Sequence, residues 1–168
     1  MVPGTSPVVI ADAGPLIALS LIGRLEVLRQ VFGQVWITET VRRELTAGGA
    51  FPGQEELVAA LEGWLRVAEV DVAGFEAINP DIDPGEASSI CLAERCADSL
   101  LVIDDRAGRI EAQARGLRFI GLIGVMRRAR QIGAIGALRP VLEDLRRANY
   151  FLGDALIAEV LRSVGEVP

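Results

Sequence analysis

Two short apolar runs in this sequence end on aspartate: Val8-Val9-Ile10-Ala11-Asp12 and Leu100-Leu101-Val102-Ile103-Asp104-Asp105. A continuous branched run has no polar face, so as a strand it must be covered on both sides. Helical patterns separate the strands along the chain. Such alternation means right-handed β-α-β units and a parallel sheet between helical layers. The fold class expected is therefore α/β, a three-layer α/β/α sandwich with a central, mostly parallel sheet. In such sheets ligands bind beyond the carboxyl ends of the strands, where strand order reverses. Asp12, Asp104 and Asp105 fall at that end.

The chain of 168 residues reads as one domain over 1–168, with a core at about 7–121 and helices over 122–165 packing on it. A chain of this size buries roughly 70% of its unfolded surface and needs no disulfide or structural metal to fold. Residues 1–6 read as a loose start. Strands are predicted at Pro7–Ala11, Gln34–Ile37, Leu65–Val70, Leu100–Ile103 and Arg118–Ile120. Helices are predicted at Leu16–Ile22, from Leu25 to about Phe32, and over Glu39–Thr46 behind a Thr38 N-cap. Others follow at Glu55–Leu61, from about Glu86 to Cys96, and over Arg106–Arg115. The last three are Leu122–Ile132, Leu138–Ala148 and Gly153–Val164. The Gly48–Gly53 loop is the segment expected to move most, and Asp71–Ile82 reads as irregular and acidic.

Two absences constrain the chemistry. The chain has no histidine, which excludes Ser-His and Cys-His nucleophile pairs, histidine general bases and histidine metal sites. It has no lysine, so all 17 basic residues are arginine. That removes the P-loop lysine, Schiff-base chemistry and the lysine of receiver and haloacid-dehalogenase sites. Any catalysis rests on carboxylates and arginines, and clustered carboxylates without histidine point to a hard divalent cation. The net charge of −6 argues against a dedicated DNA-binding module. It leaves a nuclease open, because a metal bridges an acidic pocket to phosphate.

The 51% hydrophobic content and mean hydropathy of +0.36 suit a sheet covered on both faces, with some surplus for an oligomer interface. No apolar run approaches the ~18 residues of a membrane span. Asp12 and Pro15 break the nearest one, and no basic residue precedes Arg24 to form a signal-peptide n-region. The expected location is the cytoplasm. Cys91 and Cys96 do not match C-x-x-C or a zinc pattern and read as small core residues.

Each carboxylate has a structural reading beside a functional one. Asp12 either caps the following helix or binds a cation. Asp83-Pro84-Gly85-Glu86 fits a capping box, and a helix N-terminus that favours an anion allows Glu86 both roles. Glu44 is either a surface residue or a ligand beside the Val41/Leu45 stripe. Asp104 and Asp105 are consecutive and so point apart; one is a candidate ligand and the other a cap for the helix at Arg106. Arg106 and Arg109, one turn apart, either contact phosphate or neutralise the acids. Arg127, Arg128 and Arg130 read as a solvated helix face or as phosphate contacts.

These segments, with the helix bearing Thr40-Val41-Arg42-Arg43-Glu44-Leu45, resemble the PIN-domain ribonucleases. They are similar to the prokaryotic branch related to VapC-type toxins, over roughly Pro7 to Gly121. The resemblance implies metal-dependent cleavage of RNA with Mg2+ or Mn2+, a homodimer, and inhibition by a protein antitoxin. Carried over by motif, the catalytic acids are Asp12, Glu44, Glu86 and Asp104 or Asp105, with Asp12, Glu86, Asp104 and Asp105 as candidate metal ligands. Arg106 and Arg109 are the candidate substrate contacts. Glu86 stands where VapC toxins often carry aspartate. The alternative is a catalytically inactive PIN-like module that binds protein or RNA.

Overall fold

The computed structural model of the protein describes residues 6–167. The start expected to be loose lies, Ser6 apart, outside them. The described strands are β1 (Val8–Ala11), β2 (Val35–Thr38), β3 (Leu65–Ala68), β4 (Ser99–Val102) and β5 (Phe119–Ile120). They form one sheet in the order β3-β2-β1-β4-β5, and every pairing is parallel. The chain lays β2 and β3 on one flank of β1, then returns to lay β4 and β5 on the other. Strand order therefore reverses between β1 and β4, which pair in register from Val8↔Ser99 to Ala11↔Val102.

The helices are α1 (Ala13–Leu21), α2 (Glu26–Phe32), α3 (Glu39–Ala47), α4 (Gln54–Glu62), α5 (Pro84–Glu94), α6 (Arg106–Ala114), α7 (Leu122–Gln131), α8 (Arg139–Arg147) and α9 (Asp154–Ser163). Strand alternation sorts them into two layers. Val9, Ala11 and Val102 join a large core with residues of α1 to α4 and α7 to α9. Ile10, Leu101 and Ile103 point the other way, onto Ile90 and Ala93 of α5 and Ala112 of α6. The three-layer α/β/α sandwich follows from that alternation. Among the described residues no helix is long and apolar enough to cross a membrane.

Two carboxylates, buried Glu111 and half-buried Glu166, tie irregular chain to helices through backbone amides and an arginine each. Glu111 accepts from the Ile78 and Asn79 amides at 3.0 and 2.7 Å and from Arg115 at 2.8 Å. This anchors the irregular segment before α5, and Arg115 also covers the Phe75 ring. Glu166 accepts from the Leu138 and Arg139 amides and from Arg130, closing the C-terminal helices on one another. Cys91 and Cys96 are both free, the first buried and the second half-buried.

The glycine-rich loop before α4 has a fixed end. Gly53 has φ 88°, and a Cβ there would lie 1.9 Å from the Ser20 carbonyl oxygen of α1. Both the backbone conformation and the space demand glycine. Gly53→Ala is expected to destabilise the fold by more than about 1 kcal/mol, read as a lower urea midpoint at unchanged slope. An unchanged midpoint would show that the loop is not held against α1.

Candidate active site

β1 ends by delivering Asp12 between two neighbours. The Asp12 amide donates to the Val102 carbonyl at 3.0 Å, fixing it beside β4 at the switch point. Asp12 occupies the N-cap position of α1, yet its side chain makes no capping hydrogen bond. The residue is 7% exposed, and Oδ1 is buried without a partner. Burial raises its pKa first, then the charge of Asp83. Glu44 and Asp105 push the same way against the nearby Ala13 amide, and the carboxyl is carried to about 7.

α5 brings the second buried acid. Asp83 Oδ1 accepts from the Glu86 amide at 2.8 Å, and Glu86 Oε2 accepts from the Asp83 amide at 3.0 Å. This reciprocal capping box, with Pro84 in the first turn, is the one the sequence predicts. It uses one Glu86 oxygen. The other, Oε1, is buried with no partner, in a residue only 1% exposed. Burial pushes the Glu86 carboxyl up to about 7, with Asp83, Asp105 and Asp12 adding to it against the Asp83 amide bond. Capping and a buried oxygen without a partner among the described residues therefore coexist in one side chain.

Strand parity separates the consecutive aspartates. Ile10 pairs with Leu101, and both face α5 and α6. Continuing by twos, Asp12 shares that face with Ile103 and Asp105. Asp105 accordingly lies close enough to raise the pKa of both Asp12 and Glu86. It also caps α6 by accepting from the Ala107 amide at 2.7 Å. Asp104 continues the opposite face. Its Oδ1 accepts from the Leu122 amide at 2.9 Å, capping α7, while Oδ2 is buried without a partner. Tyr150 lies beside it, and burial followed by the Asp104 charge keeps that phenol protonated.

Glu44 projects from α3 over the start of α5. A Cβ on Gly85 would lie 2.4 Å from Glu44 Oε2, so this glycine admits the carboxylate to the helix N-terminus. Burial and Asp83 raise the Glu44 pKa, while the Gly85 amide lowers it. Two further glycines do the same for other acids. A Cβ on Gly108 would meet Glu86 Oε1 at 2.9 Å, and one on Gly121 would meet Asp104 Oδ1 at 2.8 Å. The Thr38 side chain caps α3 by accepting from the Val41 amide and is 2.7 Å from Ser88 Oγ, while Ser88 donates to the Gly85 carbonyl. That chain of hydroxyls locks α3 to α5, and so Glu44 to Glu86.

The arginines do not neutralise the cluster. Among the described residues none of Asp12, Glu44, Asp83, Glu86 and Asp105 is in an ion pair. Arg106 is exposed at the first turn of α6, and Arg109 sits over the Phe119 ring at 5.3 Å. Nor do three of the described acids come close enough to enclose an ion by themselves.

A DUF3368 family model, described as a PIN domain, matches residues 8–166. The chain belongs to the PIN-domain family. A search of curated proteins gave no match. PIN domains are generally nucleases with a divalent metal, and the match takes in every acid described above. In this PIN domain the residue that sequence reading undervalued is Asp83. It reads as a cap, yet its charge is the largest electrostatic contribution at both Asp12 and Glu44. The signal available was its place three residues before Glu86, on the same helix start.

The two raised acids set a pH dependence. Asp12 and Glu86 move from ordinary values of 3.8 and 4.5 to about 7 on folding. Across that window the folded PIN domain holds protons that the unfolded chain has released, so stability falls as pH rises and levels off above it. Urea midpoints are expected to drop between about pH 4.5 and pH 7 in chelator, and to drop less in Asp12→Asn. A flat or rising profile would contradict the placement of these acids.

Proposed function

We propose that this PIN domain is a metal-dependent endoribonuclease, cleaving RNA phosphodiesters as the toxin of a toxin–antitoxin pair. The observation that supports it most is that two buried carboxylates near the sheet's switch point, Asp12 and Glu86, each keep an oxygen without a partner among the described residues, with Asp12 close enough to raise the Glu86 pKa. An uncompensated buried carboxylate is costly, and acids with strongly perturbed pKa values cluster at functional sites. The donors fit a hard cation, Mg2+ or Mn2+: all oxygen, anionic, without histidine or thiolate. The toxin role, the antitoxin and a homodimer rest on the likeness to VapC-type toxins, and a cytoplasmic location on the sequence pattern.

In this reading Asp12 and Glu86, with Asp105 beside them, would hold the ion, and a bound Mg2+ needs only a few protein oxygens. When bound, the cation supplies Lewis-acid activation of water and neutralises charge at the phosphate. Glu44, exposed at the mouth, orients the attacking water and accepts its proton. Asp83 holds Glu86 in its rotamer through the capping box and adds negative charge around Asp12. Arg106 and Arg109 grip the phosphate. Asp104 pins α7 and forms the border with the neighbouring cleft.

One observation favours the alternative, an inactive interaction module. The acids do not by themselves enclose an ion. Cleavage assays separate the two. Wild-type protein is expected to cut RNA with Mg2+ or Mn2+, and Asp12→Asn to lose at least about a hundredfold in rate while keeping its circular-dichroism spectrum, since metal activation carries most of such a rate. Equal cleavage by Asp12→Asn, with contaminating nuclease excluded, removes the residue from the mechanism. Glu86→Gln keeps a capping oxygen, so it is expected to hold its urea midpoint and lose Mn2+ affinity by calorimetry. Retained affinity would leave Glu86 a cap alone. Induction of the wild type in a bacterial host is expected to arrest growth, and induction of Asp12→Asn is not; equal growth would remove the toxin role.

A further inference from the structure

A second cleft opens behind the acid cluster, with a volume of about 500 Å3. It is walled by β5, α7, α9 and the link between α8 and α9, and Asp104 lies in its lining. That volume falls within the ~300–1,000 Å3 of small-ligand sites and suits one nucleotide. The two sites share a wall, for Asp104 lines the cleft and Asp105 belongs to the acid cluster. Asp104 and Asp105 are consecutive, so the cleft begins one residue from the acid cluster.

The lining joins arginines to aromatic rings. Arg109 from α6 and Arg127 from α7 line the cleft, and neither forms an ion pair among the described residues. Arg109 is held over the Phe119 ring. Asn149 adopts φ 63°, turning the chain after α8; Tyr150 is half-buried and Phe151 is 93% exposed at the rim. A phenylalanine left in water forgoes the stabilisation of burial, so the fold itself gives it no reason to be there. Asp104 and Glu159 balance the two arginines. Long-range attraction is therefore weak in this cleft, and recognition falls to stacking and to contacts with single phosphates.

We infer that this cleft takes the nucleotide flanking the cleaved bond, its base stacked on Phe151 and Tyr150 and its phosphate held by Arg127 and Arg109. Only an unpaired base exposes its face to such a platform, so the cleft takes an unpaired nucleotide and not one held in a duplex. The inference rests on the nuclease reading for the identity of the strand, but binding tests it separately from cleavage.

The experiment uses the full chain in EDTA, with a short fluorescent single-stranded RNA and a duplex of the same sequence. Phe151→Ala is expected to weaken single-strand binding about tenfold, the usual scale of one lost base stack. Arg127→Gln is expected to weaken it and to lower the salt slope by about 0.7. The duplex is expected to bind poorly and to ignore Phe151→Ala. Wild-type binding by both variants, or equal binding of duplex and single strand, overturns the inference. So does a dimer that dissociates in Phe151→Ala while RNA binding stays unchanged, because the ring then covers a second copy. Metal-dependent cleavage lost in Asp12→Asn, with binding untouched by the cleft variants, sinks the cleft alone. Weakened binding in those variants with no cleavage by the wild type sinks the nuclease reading alone.

Discussion

Negative charge without a partner, buried where β1 and β4 end side by side, is the constraint on which the rest of this structure turns. Asp12 and Glu86 are nearly inaccessible, and each carries an oxygen that nothing among the described residues satisfies. The same chain shows that it can do otherwise. Glu111 and Glu166 are each met by two backbone amides and an arginine, and both stay below the ordinary carboxylate range because those bonds outweigh burial. Structural carboxylates here are fully partnered, and the acids at the switch point are not. With 17 arginines available in the chain, none compensates them. That contrast within one molecule separates the cluster from an ordinary buried acid.

The sheet then does the sorting. A parallel register that pairs Ile10 with Leu101 puts Asp12 and Asp105 on one face and Asp104 on the other. Two neighbouring side chains thereby serve two places, the acid cluster against α5 and an aromatic, arginine-lined cleft against α7 and α9. Helix termini complete the arrangement. α5, α6 and α7 each begin on a carboxylate that caps them, Asp83, Asp105 and Asp104, so the acids are positioned by the same bonds that start the helices. Glycines at 85, 108 and 121 leave the space those carboxylates enter.

Most of the architecture was legible in the residues, because continuous apolar strands alternating with amphipathic helices admit few folds. The strand edges moved by a residue or two, as at β3, where pairing stops at Ala68. The capping box at Asp83 was readable because its residue types and spacing are local. The choice between Asp104 and Asp105 was not made from sequence, though parity with Asp12 would have made it once β1 and β4 were taken as parallel neighbours. Asp83 as a source of charge, the three glycines and the Thr38–Ser88 link depend on distances between segments far apart in the chain. Nothing in the sequence marked Phe151, since one aromatic residue between two helices carries no periodicity.

The most direct test of this account is a 13C NMR titration of the Asp12 and Glu86 carboxyl carbons, in chelator and again with Mg2+. The account expects both to titrate near 7 without metal and to move well down once the ion binds. Ordinary carboxylate values that ignore Mg2+ would contradict it, for the buried charge would then have no strain for a cation to relieve.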